Sequence, residues 1–147
     1  MREFVCLALV AALAACSPPP AEQAETTTLT TVSIPAQPGA ASVDGVMAGA
    51  RLTSPATLTG IAPKDWYFEA QFPVMLVGAD GRVIAEGPAR AQSDWTAPNN
   101  DPIRFQSELT FSVAHDTPAT LVLQEDMPGE DAPARETRIP VVLSAHS

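Results

Sequence analysis

Between residues 46 and 147, hydrophobic and polar side chains alternate with a period of two. The clearest run sets Ile103, Phe105, Ser107, Leu109, Phe111 and Val113 against Arg104, Gln106, Glu108, Thr110 and Ser112. Successive side chains of a strand point to opposite faces, so this run predicts a strand with one face on a core and one in water. A second run places Phe68, Ala70, Phe72, Val74 and Leu76 on one face and Tyr67, Glu69, Gln71 and Met75 on the other. Pro73 interrupts it and predicts an edge strand or a bulge, because proline donates nothing to a ladder. Ala79-Asp80-Gly81-Arg82 predicts a hairpin turn, since Asp-Gly tolerates positive φ, and residues 83–86 return from it. Leu121 and Leu123 point inward from a strand at 120–124, and Ile139, Val141 and Leu143 from one at 138–143. Residues 51–53 and the neighbourhood of Leu58 form a first pair, separated by Pro55. About seven short strands with turn signals between them, and no helical period outside the first residues, predict an all-β sandwich or barrel.

Upstream of residue 46 the pattern changes twice. Residues 4–12 are continuously apolar but too short to span a bilayer, which takes about 20 residues. Residues 17–45 are rich in Pro, Ala, Gln, Glu and Thr, opening on Pro18-Pro19-Pro20 and carrying Thr26-Thr27-Thr28. They hold no aromatic residue and too few large apolar ones to offset the entropy of ordering them, so they predict a tether. A flexible chain of about 30 residues spans roughly 30 Å on average and about 100 Å when extended. The alternative for this stretch is that residues 29–34 add a strand to the domain.

Composition narrows the function. Fifteen prolines in 147 residues argue against long helices. Eight Lys and Arg stand against 17 Asp and Glu, a formal charge of −9, with no basic cluster anywhere. A phosphate backbone needs clustered cations, so nucleic acid is excluded as a partner, and so is attachment to anionic lipid through a polybasic patch. Cys6 and Cys16 are the only cysteines. If residues 1–15 are removed and Cys16 is acylated, no thiol is left and no disulfide forms, so the core alone must hold the domain.

Leu13-Ala14-Ala15-Cys16 resembles the lipobox of bacterial lipoproteins: a branched apolar residue, two small residues, then the cysteine that receives the lipid. The resemblance implies a cleaved signal peptide over residues 1–15 and Cys16 as the lipidated first residue of the mature chain. Cys16 would then carry two or three acyl chains, and two suffice for stable anchoring where one does not. An ordinary secretory leader ending in small residues is the plainer reading, but it gives Cys16 no use. Ser17 follows the cysteine. In Gram-negative lipoproteins an Asp there favours the inner membrane, so Ser17 points to the outer membrane in such a host.

A second resemblance covers the domain. Thr53-Ser54-Pro55, Leu58-Thr59-Gly60 and the run Trp66-Tyr67-Phe68-Glu69-Ala70-Gln71-Phe72-Pro73-Val74 resemble the immunoglobulin-like domain of bacterial spore germination. The likeness continues through Asp80-Gly81-Arg82-Val83, Ser93-Asp94-Trp95, Leu121-Val122-Leu123 and Ile139-Pro140-Val141, with Ser93 standing where the family commonly has Gly. It implies an immunoglobulin-like antiparallel β-sandwich over residues 46–147 and a cell-envelope setting, and names no reaction.

The residues themselves point away from catalysis. His115 and His146 are the only histidines, and no Gly-x-Ser-x-Gly elbow accompanies them. Asp94, Asn99, Asn100 and Asp101 in one segment and Glu125, Asp126, Glu130 and Asp131 in another offer hard oxygen ligands of the kind calcium takes. No spaced ligand loop organises them, and such residues are what turns prefer, so neither a metal nor another cofactor is expected. Trp66 and Trp95 are the conspicuous large residues. One or both fill the core, or one stands exposed to stack on a sugar or anchor a protein. Trp95 beside Asp94 is the better candidate for exposure, with Tyr67 and Glu69 extending such a surface. Arg51, Arg82, Arg90 and Arg104 are dispersed and read as ordinary surface cations. The sequence thus predicts a lipid-anchored, non-catalytic envelope module displaying an immunoglobulin-like domain. Its partners would be the bilayer, through Cys16, and an envelope protein or glycan. The alternatives are a peptidoglycan- or polysaccharide-binding module and a structural accessory subunit of an envelope complex.

Overall fold

A computed structural model describes residues 39–145. The leader, Cys16, the tether up to residue 38 and the alternative strand at 29–34 lie outside the described residues, as does His146. The described chain runs β1 (Ser42–Val43), β2 (Ala50–Leu52), β3 (Ala56–Ala62), a 3-10 turn (Lys64–Trp66), β4 (Gln71–Gly78), β5 (Val83–Ala91), β6 (Ile103–Leu109), β7 (Thr117–Gln124) and β8 (Glu136–Leu143).

Hydrogen bonds link the strands in the order β1-β3-β6-β5-β4-β7-β8-β2. In a flat sheet, strands two places apart stand about 9.5 Å from each other. Phe72 on β4 and Phe105 on β6 are two places apart, yet their ring centroids lie 5.2 Å from each other. The sheet therefore curls on itself, and β5 forms the corner. It pairs with β4 over most of its length but with β6 only at Arg90–Gln106 and Ala91–Phe105. Both halves feed one core, from Leu58, Ile103 and Phe105 on one side to Phe72, Leu76, Leu121 and Leu143 on the other. This is the immunoglobulin-like sandwich, with eight strands for about seven expected. β6 alternates buried and exposed without a fault from Ile103 to Leu109. Burying each large apolar side chain stabilises the fold by roughly 1.5–3 kcal/mol.

Four local expectations are corrected. The segment 51–53 does not pair with the strand around Leu58. β2 lies parallel to β8, with Ala50 opposite Val141, while β3 pairs with β6 from Ala56–Leu109 to Ala62–Ile103. Residues 53–55 thus carry the chain from one layer to the other. The folded part also begins before Val46: β1 pairs with β3, Ala41 is buried, and Thr137 Oγ1 donates to the Ala41 carbonyl at 2.9 Å. A two-residue strand has no period to detect.

β4 is not an edge strand, since it lies between β5 and β7, and its register shift falls at Leu76/Val77 rather than at Pro73. Ala91 N donates to Ala70 O at 2.8 Å, which makes 70–91 a hydrogen-bonded pair, and counting along the register makes Pro73–Pro88 a non-bonded one. The β7 ladder begins only at Val74, so no partner asks Pro73 for an N–H.

The fourth correction reverses a face. Tyr67 is buried and Phe68 is 44% exposed, the opposite of their predicted sides. The 3-10 turn is followed by a tight turn in which Phe68 and Gln71 exchange N–H···O bonds of 2.9 and 3.1 Å. Glu69 (φ 49°) and Ala70 (φ 64°) occupy its centre in the left-handed region, which costs a non-glycine residue roughly 1–2 kcal/mol. Two turns in succession break the alternation before Gln71. Beyond it Phe72, Val74 and Leu76 point inward as expected. The other hairpin follows the sequence: Gly81 has φ 80°, and Asp80 Oδ1 accepts from Arg82 N at 3.0 Å.

Candidate functional site

At one end of the sandwich β3, β5 and β7 finish and β4, β6 and β8 begin. The connecting segments 63–70, 92–102 and 125–135 meet there with residue 39, where the described chain begins. They enclose an open recess of about 620 Å³, lined by Gly39, Pro63, Lys64, Asp65, Tyr67, Trp95, Asp101 and Arg135.

One wall is continuous with the core. Trp66 is fully buried, edge-on to Phe72 at 5.8 Å, and its Nε1–H donates to the Gly39 carbonyl at 3.1 Å. The Arg135 guanidinium lies 5.8 Å from the centre of the same indole. That guanidinium forks onto Glu125, Nε to Oε2 at 2.9 Å and Nη2 to Oε1 at 2.7 Å, and also reaches Asp65 at 2.8 Å. Hydrogen bonding from Arg135 holds the Glu125 carboxyl below the usual carboxylate range despite its partial burial. Planar bidentate pairing of this kind is specific to arginine. Tyr67 packs edge-on against Phe72 at 5.1 Å and donates its hydroxyl to Ile103 O at 2.9 Å. Burial pushes its phenol further above its ordinary value, so Tyr67 stays neutral and lends the recess a fixed aromatic edge.

The opposite wall is the segment 92–102. Asp94 Oδ1 accepts from Thr96 N at 2.9 Å and from Thr96 Oγ1 at 2.6 Å, and these bonds lower its pKa. Asn100 Nδ2 donates to Ser93 Oγ at 2.8 Å and to Asp94 O at 2.7 Å, so the Ser93 hydroxyl helps hold the loop. Lys64 crosses from the first wall to the second: its Nζ donates to Thr96 O at 3.0 Å and Ala97 O at 2.9 Å, and its backbone N–H donates to Asp101 Oδ1 at 3.1 Å. Trp95 packs against the core yet remains half-buried in the recess wall.

Of the four residues singled out in the sequence, Trp95 and Tyr67 therefore share the recess. Tyr67 does so as a buried core residue rather than from a polar face. Asp94 is exposed and shapes the loop that carries Trp95. Glu69 is exposed in its turn and does not line the recess. Lys64, Asp65 and Arg135 carry no sequence signal of their own. Arg135 is 70 positions from Asp65, and only the fold joins them. Among the described residues no group of three or more His, Cys, Asp and Glu is placed to hold a metal ion. His115 is exposed, and its neighbour Asp116 pairs with Arg51. Side chains that stack, donate and accept line the recess, and no nucleophile there is hydrogen-bonded to a base.

Comparison with known proteins fits this architecture. The model of a family described as the immunoglobulin-like domain of bacterial spore germination matches residues 42–130, which span β1 to β7. No curated protein matches the chain. Among solved structures, CopC from Methylosinus trichosporium OB3b is similar at 9% identity and a TM-score of 0.36, with 68% of this chain and 87% of that one covered.

Proposed function

This chain belongs to the family of immunoglobulin-like domains of bacterial spore germination, and from that premise we propose that it is a lipid-anchored, non-catalytic display module of the cell envelope. Lipid on Cys16 fixes its location, the segment up to residue 38 sets its reach, and the sandwich holds an envelope partner. The observation that supports the reading is Leu13-Ala14-Ala15-Cys16 ahead of an immunoglobulin-like domain. With Ser17 after the cysteine, the outer membrane is the site of anchoring in a Gram-negative host. The partner is a protein or a glycan, and a partly buried Trp95 lining the recess with Lys64 and Asp101 favours the glycan.

The test is incorporation of radiolabelled palmitate in growing cells. The wild-type chain takes up label and fractionates with membranes; Cys16→Ala takes up none and is released. Equal labelling of both chains overturns the anchor.

A further inference from the structure

We infer that the recess between Lys64, Trp95 and Asp101 is a binding site for an uncharged pyranose oligosaccharide, lying as a strand across the open end of the sandwich. The inference deepens the display reading and rests on it.

Three properties of the recess select this chemistry. It is open to solvent and about 620 Å³ in volume, which leaves room for one stretch of a longer chain. Trp95 presents a half-buried indole whose other contacts hold it against the core. A pyranose ring offers an apolar C–H face that stacks on such a surface, and Trp, with a large rigid area and little entropy to lose, suits the task. Finally, donors and acceptors stand side by side. Asp101 uses Oδ1 on the Lys64 backbone, and Lys64 Nζ spends two hydrogens on carbonyls. One carboxylate oxygen of Asp101 and one ammonium hydrogen of Lys64 are thus left for a ligand. Sugar hydroxyls donate and accept at once and satisfy both. An apolar peptide would cover these groups without replacing their water, at a cost.

Charge then separates neutral from acidic sugars. Arg135, the other cation of the recess, is committed to Glu125 and Asp65. Lys64 sits among carboxylates, and the whole chain carries a formal −9. A uronate or phosphate polymer meets net repulsion here.

The experiment titrates the full-length chain in detergent micelles with chitohexaose, and in parallel with a hyaluronan hexasaccharide, while following indole fluorescence and heat of binding. Chitohexaose is expected to bind with a dissociation constant of roughly 0.1–1 mM, shifting the indole emission, and the acidic hexamer to bind at least about tenfold more weakly. Trp95→Ala should weaken chitohexaose binding by about tenfold or more, with Trp95→Tyr recovering most of it. Phe68→Ala, an exposed aromatic outside the recess, should leave binding unchanged. Thermal unfolding of each variant shows that it is folded. No binding of chitohexaose at about 10 mM, equal binding of the acidic hexamer, or binding indifferent to Trp95→Ala overturns the inference. Palmitate labelling of Cys16 in the same chain keeps the two proposals apart. Label with no sugar binding leaves an anchored module with a protein partner, whereas absence of label removes the anchor whatever the recess binds.

Discussion

The two tryptophans lie at one end of the sandwich and are held in opposite ways: Trp95 lines the recess, whereas Trp66 is buried behind it. Trp66 has no exposed surface; it is packed edge-on against Phe72 and bonded to the Gly39 carbonyl beneath the forked Arg135–Glu125 pair. Trp95 rides on a loop held by surface hydrogen bonds, chiefly those of Lys64, Asp94 and Asn100. The same residue type is thus sealed in the core in one place and left partly open to the recess in the other. The difference lies in what surrounds each indole: a core with a charged clasp, or a loop with water on its outer side.

The largest effect should come from emptying the first wall. Trp66→Ala removes a fully buried side chain and is expected to cost about 3–5 kcal/mol, read as a fall in the urea midpoint; a loss like that of Trp95→Ala would erase the contrast. Next comes the clasp. Arg135→Ala leaves the Glu125 carboxylate, only 12% exposed, without its partner, and should cost about 1–3 kcal/mol.

Acid sharpens the same point. The folded-state pKa of Glu125 is depressed by Arg135, so the stability it contributes is present above the unfolded carboxyl value and is lost as pH falls through the folded one. Melting temperature should therefore drop between about pH 5 and pH 2 more steeply in the wild type than in Glu125→Gln. Parallel curves would show that the clasp carries no linkage.

The smallest effects on stability belong to the second wall. Lys64→Ala frees the carbonyls of Thr96 and Ala97 and should shift stability by about 0.5 kcal/mol or less, while hydrogen exchange quickens across 92–102. Trp95→Ala removes a partly buried indole packed against the core and should cost about 1–2 kcal/mol, well below Trp66→Ala. A cost as large as that of Trp66→Ala would make both indoles core residues and remove the recognition wall.

Local sequence carried the sandwich where periodicity was long enough to be unambiguous. β6 was legible in its facing, although the alternation read on to Val113 and the strand ends at Leu109; the Asp80-Gly81 turn, whose geometry is set by two residues, was legible as well. Tyr67 and Phe68 were not, because the turn at Glu69 and Ala70 places two ordinary side chains at positive φ, where sequence marks only Gly, Asn or Asp. The recess was half legible. Trp95 and Asp94 stood out by type, and Asp101 as one of a cluster of oxygen ligands, whereas Lys64, Asp65 and Arg135 are unremarkable surface residues until strand pairing brings 63–66, 92–102 and 125–135 to one end. Long-range register, the source of that convergence, leaves no mark within any one segment. The buried hydroxyl of Ser107, on the core face of β6, finds no partner among the described residues.

Gly39 is both the point where the described chain begins and a wall of the recess, and its carbonyl takes the Trp66 indole N–H. Tension arriving from upstream is therefore delivered at the rim of the site itself. β1 runs from that rim away along β3, so a pull on residue 39 acts along the strand and loads its pairings together, in shear, rather than unzipping them singly. A partner seated in the recess closes the mechanical circuit within a few residues. If Cys16 is lipidated and a partner fills the recess, force passes between the two at one end of the domain, through residues 39–43 and the Thr137 hydroxyl that holds the Ala41 carbonyl.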